Sequence, residues 1–404
     1  MSPRSYRGHH PSPRVTAPES PLVKAWSNPE LVPSLLSFLL REPEAFKGLT
    51  TGGELMGGLY KLESVGHTTA AIRARAEALL ILLDGKQRAA ALLPIDSPDW
   101  MRWFNGVEMP HGLSLRTATH TQRHAVLELV RASLSTRGYD QVQGAMLLNE
   151  VLGELVGNTS ILNAWNYAIA IFGAPSAHEP WGWQLQGHHV AVNCFILGDQ
   201  IVATPLFIGA EPAIVDEGPL MGLSILQEEE RAGFELLHAL DPAQRDTAVI
   251  FESMLQQNLP PGRYTSADQR MQAGAFRDNA ILPYEGVAGA DMTASQRAKL
   301  ADLVELYVSR LPSGHDRVKM SEVMRHVSET HFSWIGSSGP EDPFYYKVHS
   351  PVILIEFDHH SGVALDNPQP EKFHVHTLVR TPNGNDYGKD LLRQHYEHFH
   401  TEPK

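Results

Sequence analysis

The sequence predicts an α+β fold made of two similar halves, about 50–210 and about 215–404, each of helices followed by an antiparallel β-hairpin or sheet segment. Three observations predict it. Blocks of similar sequence recur in one order along the chain, as a tandem duplication requires. Apolar residues fall at helical spacing in stretches such as "AVLELVRASL" (125–134). Two pairs of β-rich runs, one in each half, are separated by turn-forming residues.

The chain opens on "MSPRSYRGHHPSPRVTAPESP", rich in Pro, Ser and Arg and without the apolar core of a secretory signal, so residues 1–22 read as a disordered leader and 23–404 as one duplicated module. "EALLILLDGKQRAAALL" (77–93) matches "FELLHALDPAQRDTAVI" (234–250), sharing Leu-Asp-x-x-Gln-Arg. "THTQRHAVLELVRASLSTRGYD" (119–140) matches the stretch beginning "MTASQRAKLADLVELYV" at Met292. Gln87, Gln122, Gln244 and Gln296, each followed by arginine, read as helix-start chemistry, with Asp84 and Asp241 as N-caps. In the first half "HHVAVNCFILGDQIVATPLF" (188–207) reads as a hairpin about Gly198-Asp199. In the second, the helix of "KMSEVMRHVSETHF" leads into a sheet whose strands "PVILIEF" and "KFHVHTLVR" are joined by the loop "DHHSGVALDNPQPE". "EPWGWQLQGHHVAVNCFI" lies over "DPFYYKVHSPVILIEFD", setting Trp183 on Tyr346 and Asn193 on Glu356. Halves so related are expected to pack about a pseudo-twofold and share one core, with the aromatics Trp181, Trp183, Phe344, Tyr345 and Tyr346 in it.

Composition narrows the function. Lys and Arg number 33 against 46 Asp and Glu, a net charge of −13, and no long basic block is present, which argues against nucleic acid and anionic membrane as partners. No apolar run approaches a membrane span, and the expectation is a soluble, cytoplasmic protein acting on a small molecule, its oligomeric state left open with a homodimer among the options. Cys194 is the only cysteine, which excludes an intrachain disulfide and a cysteine-rich zinc site.

The segments "EPWGWQLQGHHV", "QEEERAGFELL", "AFRDNAILPYEGV", "FYYKVHSPVILIEFDH" and "HVHTLVRTPNGNDYGKDLLRQHYEH" resemble the domain-of-unknown-function 3500 family of bacteria and fungi, over nearly the whole chain after the leader. The resemblance implies one family-length module and no particular reaction. Mechanism rests on the residues.

On a strand alternate side chains share a face, so His374 and His376 project together with Val375 opposite. Such a pair suits one divalent ion, zinc or iron; the alternative is two polar residues on a solvated face. Glu356, the one acid in the apolar run "PVILIEF", is expected to complete two histidines and a carboxylate, or else to pair with Arg380. His188 and His189 are adjacent, and on a strand they would point to opposite faces. The repeat alignment puts His189 on the face of Asn193, making His189 a further ligand and His188, His189 and Asn193 candidate catalytic groups. Arg380, Asn385, Asp386 and Tyr387 follow the His-x-His strand at its rim, Arg380 as a holder of a substrate carboxylate or as an ordinary ion pair. No Walker-type loop, dinucleotide fingerprint, Gly-x-Ser-x-Gly elbow or His-Glu-x-x-His is present, and the cupin glutamate is missing after the His-x-His. The reading is a metal-dependent enzyme of hydrolytic or lyase type; the alternatives are a non-haem iron oxidoreductase on the same ligands and a non-catalytic module that binds a small ligand or a protein.

Overall fold

The computed structural model describes residues 9–10, 41–106, 108–265 and 267–400; the expected leader lies outside the described residues apart from His9 and His10. The described residues form a mixed α+β structure. Its helices are α1 (Ala70–Ile81), α2 (Gly85–Ala91), α3 (His120–Ser133), α4 (Thr136–Val156), α5 (Gln227–Ala239), α6 (Pro242–Ala248), α7 (Ala294–Val308), α8 (His315–Arg325) and α9 (Lys389–Phe399). No helix among the described residues is long and apolar enough to cross a membrane.

Helix starts follow from side-chain chemistry. Asp84, Thr119, Asp241 and Thr293 each accept from the backbone N–H three residues on, and the glutamine there reaches back to the cap, so all four Gln-Arg pairs sit in capping boxes. The glutamines also lock helices together: Gln122 Nε2 donates to Gln87 Oε1 at 2.8 Å, and Gln296 Nε2 to Gln244 Oε1 at 2.7 Å. Helix α4 ends at Gly157 in the left-handed conformation. Within it Gly153 lets the backbone of Leu162 approach so closely that a Cβ would lie 1.9 Å from its carbonyl oxygen.

The strands are β1 (Leu92–Leu93), β2 (Leu113–Ser114), β3 (Tyr167–Phe172), β4 (Trp181–Gly187), β5 (Val190–Leu197), β6 (Gln200–Val202), β7 (Leu206–Ala210), β8 (Val249–Phe251), β9 (Val287–Ala288), β10 (His331–Ile335), β11 (Tyr345–His349), β12 (Leu354–Ser361) and β13 (Pro370–Arg380). They form one sheet in the order β1-β3-β4-β5-β7-β13-β12-β11-β10-β8. Only β1 with β3 and β8 with β10 are parallel; the seam joining the two stretches of chain is the antiparallel pair β7 and β13. Strand β12 runs on through Asp358, His359 and His360, where the sequence predicts the following loop.

The two faces differ in chemistry. On one, Trp183 donates to Ser133 of α3 and Tyr346 meets Tyr307 of α7 at 2.5 Å, so the helices cover an aromatic and aliphatic surface. On the other, Gln184, Gln186, Asn193, Lys347, Glu356, Asp358, His374, His376 and Arg380 are all buried, largely under connecting segments and short 3-10 turns. Buried polar groups need partners, and these loops supply them: Gln184 donates to the carbonyl of Trp100, and Gln186 accepts from the N–H of Met109.

Candidate metal centre

Strand alternation puts His374 and His376 on the polar face of β13, and the register of β7 sets Gly209 directly beside His376. A Cβ on Gly209 would lie 2.8 Å from the His376 ring and 3.2 Å from that of His189, so the missing side chain makes room for both imidazoles. His189 arrives from the other half of the sheet. It and His188 are the two turn residues between β4 and β5, closed by the pair Gly187 and Val190. As adjacent strand residues their side chains are expected to oppose one another; in the turn their rings stack instead, centroids 3.9 Å apart. His189 has φ 63°, a conformation costly for a residue with a Cβ and concentrated at functional sites. Its N–H donates to the carbonyl of Asn105, and its carbonyl accepts from Gly209, which fixes the turn.

Ring nitrogens of His189, His374 and His376 all lie within 4.8 Å of one another, and the three residues are buried. His374 Nε2 and His376 Nε2 are 3.1 Å apart. Two nitrogens bound at about 2.05 Å in a tetrahedral zinc site stand about 3.3 Å apart, so this pair already has the spacing of co-ligands. Burial holds all three imidazoles below the usual histidine range, each further lowered by neighbouring histidines or, for His374, opposed by Glu211; they are neutral at pH 7 and offer lone pairs. His376 Nδ1 is buried with no hydrogen-bond partner among the described residues. The residues present fit a divalent ion.

A surrounding layer of histidines and carboxylates packs against the trio. The His360 ring lies tilted against His376, 3.7 Å between centroids, with its Nε2 3.0 Å from Asp358 Oδ2. His188 Nδ1 contacts Asn149 Oδ1 at 2.6 Å, and burial pushes its pKa down to about 3. Glu211 Oε2 lies 3.8 Å from His374 Nδ1 while its carboxylate accepts the N–H groups of Val363, Ala364 and Leu365. Asp358 accepts from Arg270 Nε at 2.7 Å, yet burial pushes its pKa up to about 6. His360 and Glu211 escaped the sequence reading. The signal for His360 was there: it continues the alternation Glu356, Asp358, His360 along one strand face.

The remaining candidates lie elsewhere on the polar face. Glu356 is not in the trio; it pairs with Leu378, two residues along β13 from His376, and accepts from Gln272 N–H, Ala273 N–H and the Tyr345 hydroxyl at 2.7, 2.9 and 2.8 Å. Arg380 does not pair with Glu356. Its fully buried guanidinium donates to Asp386, Asp278 and the carbonyl of Ala273. Tyr387 donates to Asp278 and accepts from Trp103. Asn385 caps the N–H of Leu391, and Asn193 accepts from Gln184 and donates to the carbonyl of Pro205. Each of these groups is engaged by the protein itself, and Arg380 sits in an ordinary buried ion pair.

Among curated proteins and among solved structures nothing matches this chain. A family model described as "Protein of unknown function (DUF3500)" matches residues 65–389, a span that takes in the hairpin turn, Glu211, strands β12 and β13 and every ligand candidate. The chain belongs to the DUF3500 family.

Proposed function

We propose that the protein is a metal-dependent enzyme acting on a small organic substrate by hydrolysis or a lyase-type step, its ion held by His189, His374 and His376. The observation that carries this reading is the convergence of three buried, neutral imidazoles at a turn strained to admit one of them. An all-imidazole set with one open position suits zinc; a bound ion there would lower the pKa of a water or polarise a carbonyl. The iron alternative expected a carboxylate third ligand, and Glu356 is occupied by three donors elsewhere.

The chain's own residues do the rest. Asn149 holds the His188 ring, which stacks on and buttresses His189. Asp358, anchored by Arg270, lies 3.0 Å from His360, whose ring is in contact with His376, and Glu211 lies beside His374; these carboxylates are candidates to accept or return a proton. The non-catalytic alternative draws on burial, since each of the three ligands is at most 4% exposed. We also infer the duplication about a pseudo-twofold: Trp183 on Ser133 and Tyr346 on Tyr307, and the two glutamine locks, are matching contacts at matching repeat positions. On that reading the metal centre is asymmetric, because Ile201 and Ala203 stand where His374 and His376 would recur.

Elemental mass spectrometry of untagged protein tests the reading. Near-stoichiometric zinc, lost in His376→Ala with the circular dichroism spectrum unchanged, supports it. Protein that is metal-free and takes up no added zinc, iron, copper or manganese overturns it.

A further inference from the structure

A cavity of about 710 Å³ lies on the other side of the sheet from the histidines. Its walls include Leu206, Ile353 and Val379; Leu206 and Val379 alternate with residues of the polar face, so they open towards the helices. Leu311, Val318 and Leu391 complete an apolar lining, and none of His189, His374 and His376 contributes. The size is that of a small-molecule site.

The charge around it is inverted relative to the molecule. The whole chain has 33 Lys and Arg against 46 Asp and Glu. The cavity lining has Lys61, Arg310, Arg317, Lys319 and Arg325 against Glu63 and Glu322 alone. Glu322 is already matched, since Lys319 Nζ donates to it at 2.6 Å. Arg310 is 1% exposed; its Nε and Nη2 donate to Gln141 and Glu229, and its Nη1 has no acceptor among the described residues. A buried donor without an acceptor is unfavourable, and Arg310 belongs to the cavity wall. His67, His315 and His326 add further polar groups to the rim.

We propose that this cavity binds an amphipathic organic anion, its apolar body against Leu206, Ile353 and Val379 and its carboxylate or sulfonate among Arg310, Arg317 and Arg325. The site is independent of the metal centre. Only an anion uses the positive rim, and only an apolar body uses the floor, so the two halves of the ligand are specified separately.

Full-length protein is titrated with 8-anilinonaphthalene-1-sulfonate, and the bound dye is displaced with decanoate, decan-1-ol or decyltrimethylammonium. The expectation is saturable dye binding, displaced by decanoate at concentrations about tenfold lower or more than by the neutral or cationic compound. Arg317 and Arg325 are exposed, so the double charge reversal Arg317→Glu with Arg325→Glu is compatible with folding and weakens decanoate by a further factor of about ten, leaving metal content unchanged. His376→Ala binds decanoate like the parent. Equal displacement by all three compounds, unaltered decanoate binding in the charge-reversed protein, or no saturable dye binding each overturns the proposal.

Discussion

His374 and His376 point their Nε2 atoms at each other across 3.1 Å from the same face of β13. Both are neutral at pH 7, so in the absence of an ion one proton must be shared by a contact that a cation could instead bridge with two lone pairs. The pair, more than any single residue, makes the site sensitive to small changes in spacing.

Gly209→Ala exploits that sensitivity. The added methyl group meets the His376 and His189 rings at 2.8 and 3.2 Å and must spread them. Metal affinity should fall about 10- to 100-fold, as when the supports of a metal site are disturbed, with overpacking costing about 1–3 kcal/mol of stability. Isothermal titration with zinc and a parallel denaturant melt separate the two effects. An affinity equal to the parent's would place the ion elsewhere.

Asp268 gives the protein a specific pH dependence. Burial, reinforced by the nearby carboxylate of Glu356, raises its pKa to about 7 in the folded state from 3.8. A raised acid binds its proton more tightly when folded, so its favourable contribution is complete below pH 4 and disappears as pH rises towards 7. The shift corresponds to roughly 4 kcal/mol at most. Asp268→Asn removes this loss, so the stability of the variant relative to the parent should climb between pH 4 and 7 and then level. A difference that stays flat across that interval refutes the assignment.

Arg380→Met is expected to be damaging in a way that His376→Ala is not. Asp278 and Asp386 would be left buried with their cationic partner gone, an effect of about 3–5 kcal/mol. Thermal denaturation at pH 7 should show a large drop for Arg380→Met and a small one for metal-free His376→Ala. Comparable drops would mean that Arg380 is not a structural ion pair.

Thr119→Ala removes one capping box from α3 and leaves every polar-face contact alone. A loss of about 1 kcal/mol in a urea melt, with zinc stoichiometry preserved, is the outcome expected of a cap.

How far the sequence reveals this site varies residue by residue. The pairing of His374 with His376 is readable because strand period alone puts them on one face. His189 is recognisable as a candidate, but its approach depends on a positive φ, which no residue pattern without glycine announces. Glu356 shares the correct face, yet register displaces it by two residues, roughly 6–7 Å along a strand, and register is a tertiary property. His360 continues the alternation of Glu356 and Asp358, a signal masked because Ser361, Gly362 and Asn367 look like loop while β12 extends to Ser361. The helix starts are legible to the residue, since a capping box is entirely local.

The seam between β7 and β13 also makes the site a long-range product of the chain. His189 and His374 are 185 positions apart in the chain (374 − 189), and they meet only across that seam. A nascent or partly refolded chain can own a finished hairpin on either side and still present no three-nitrogen cup. On the proposed reading, ion capture requires closure of this seam, and in a refolding experiment the appearance of bound zinc should not precede it.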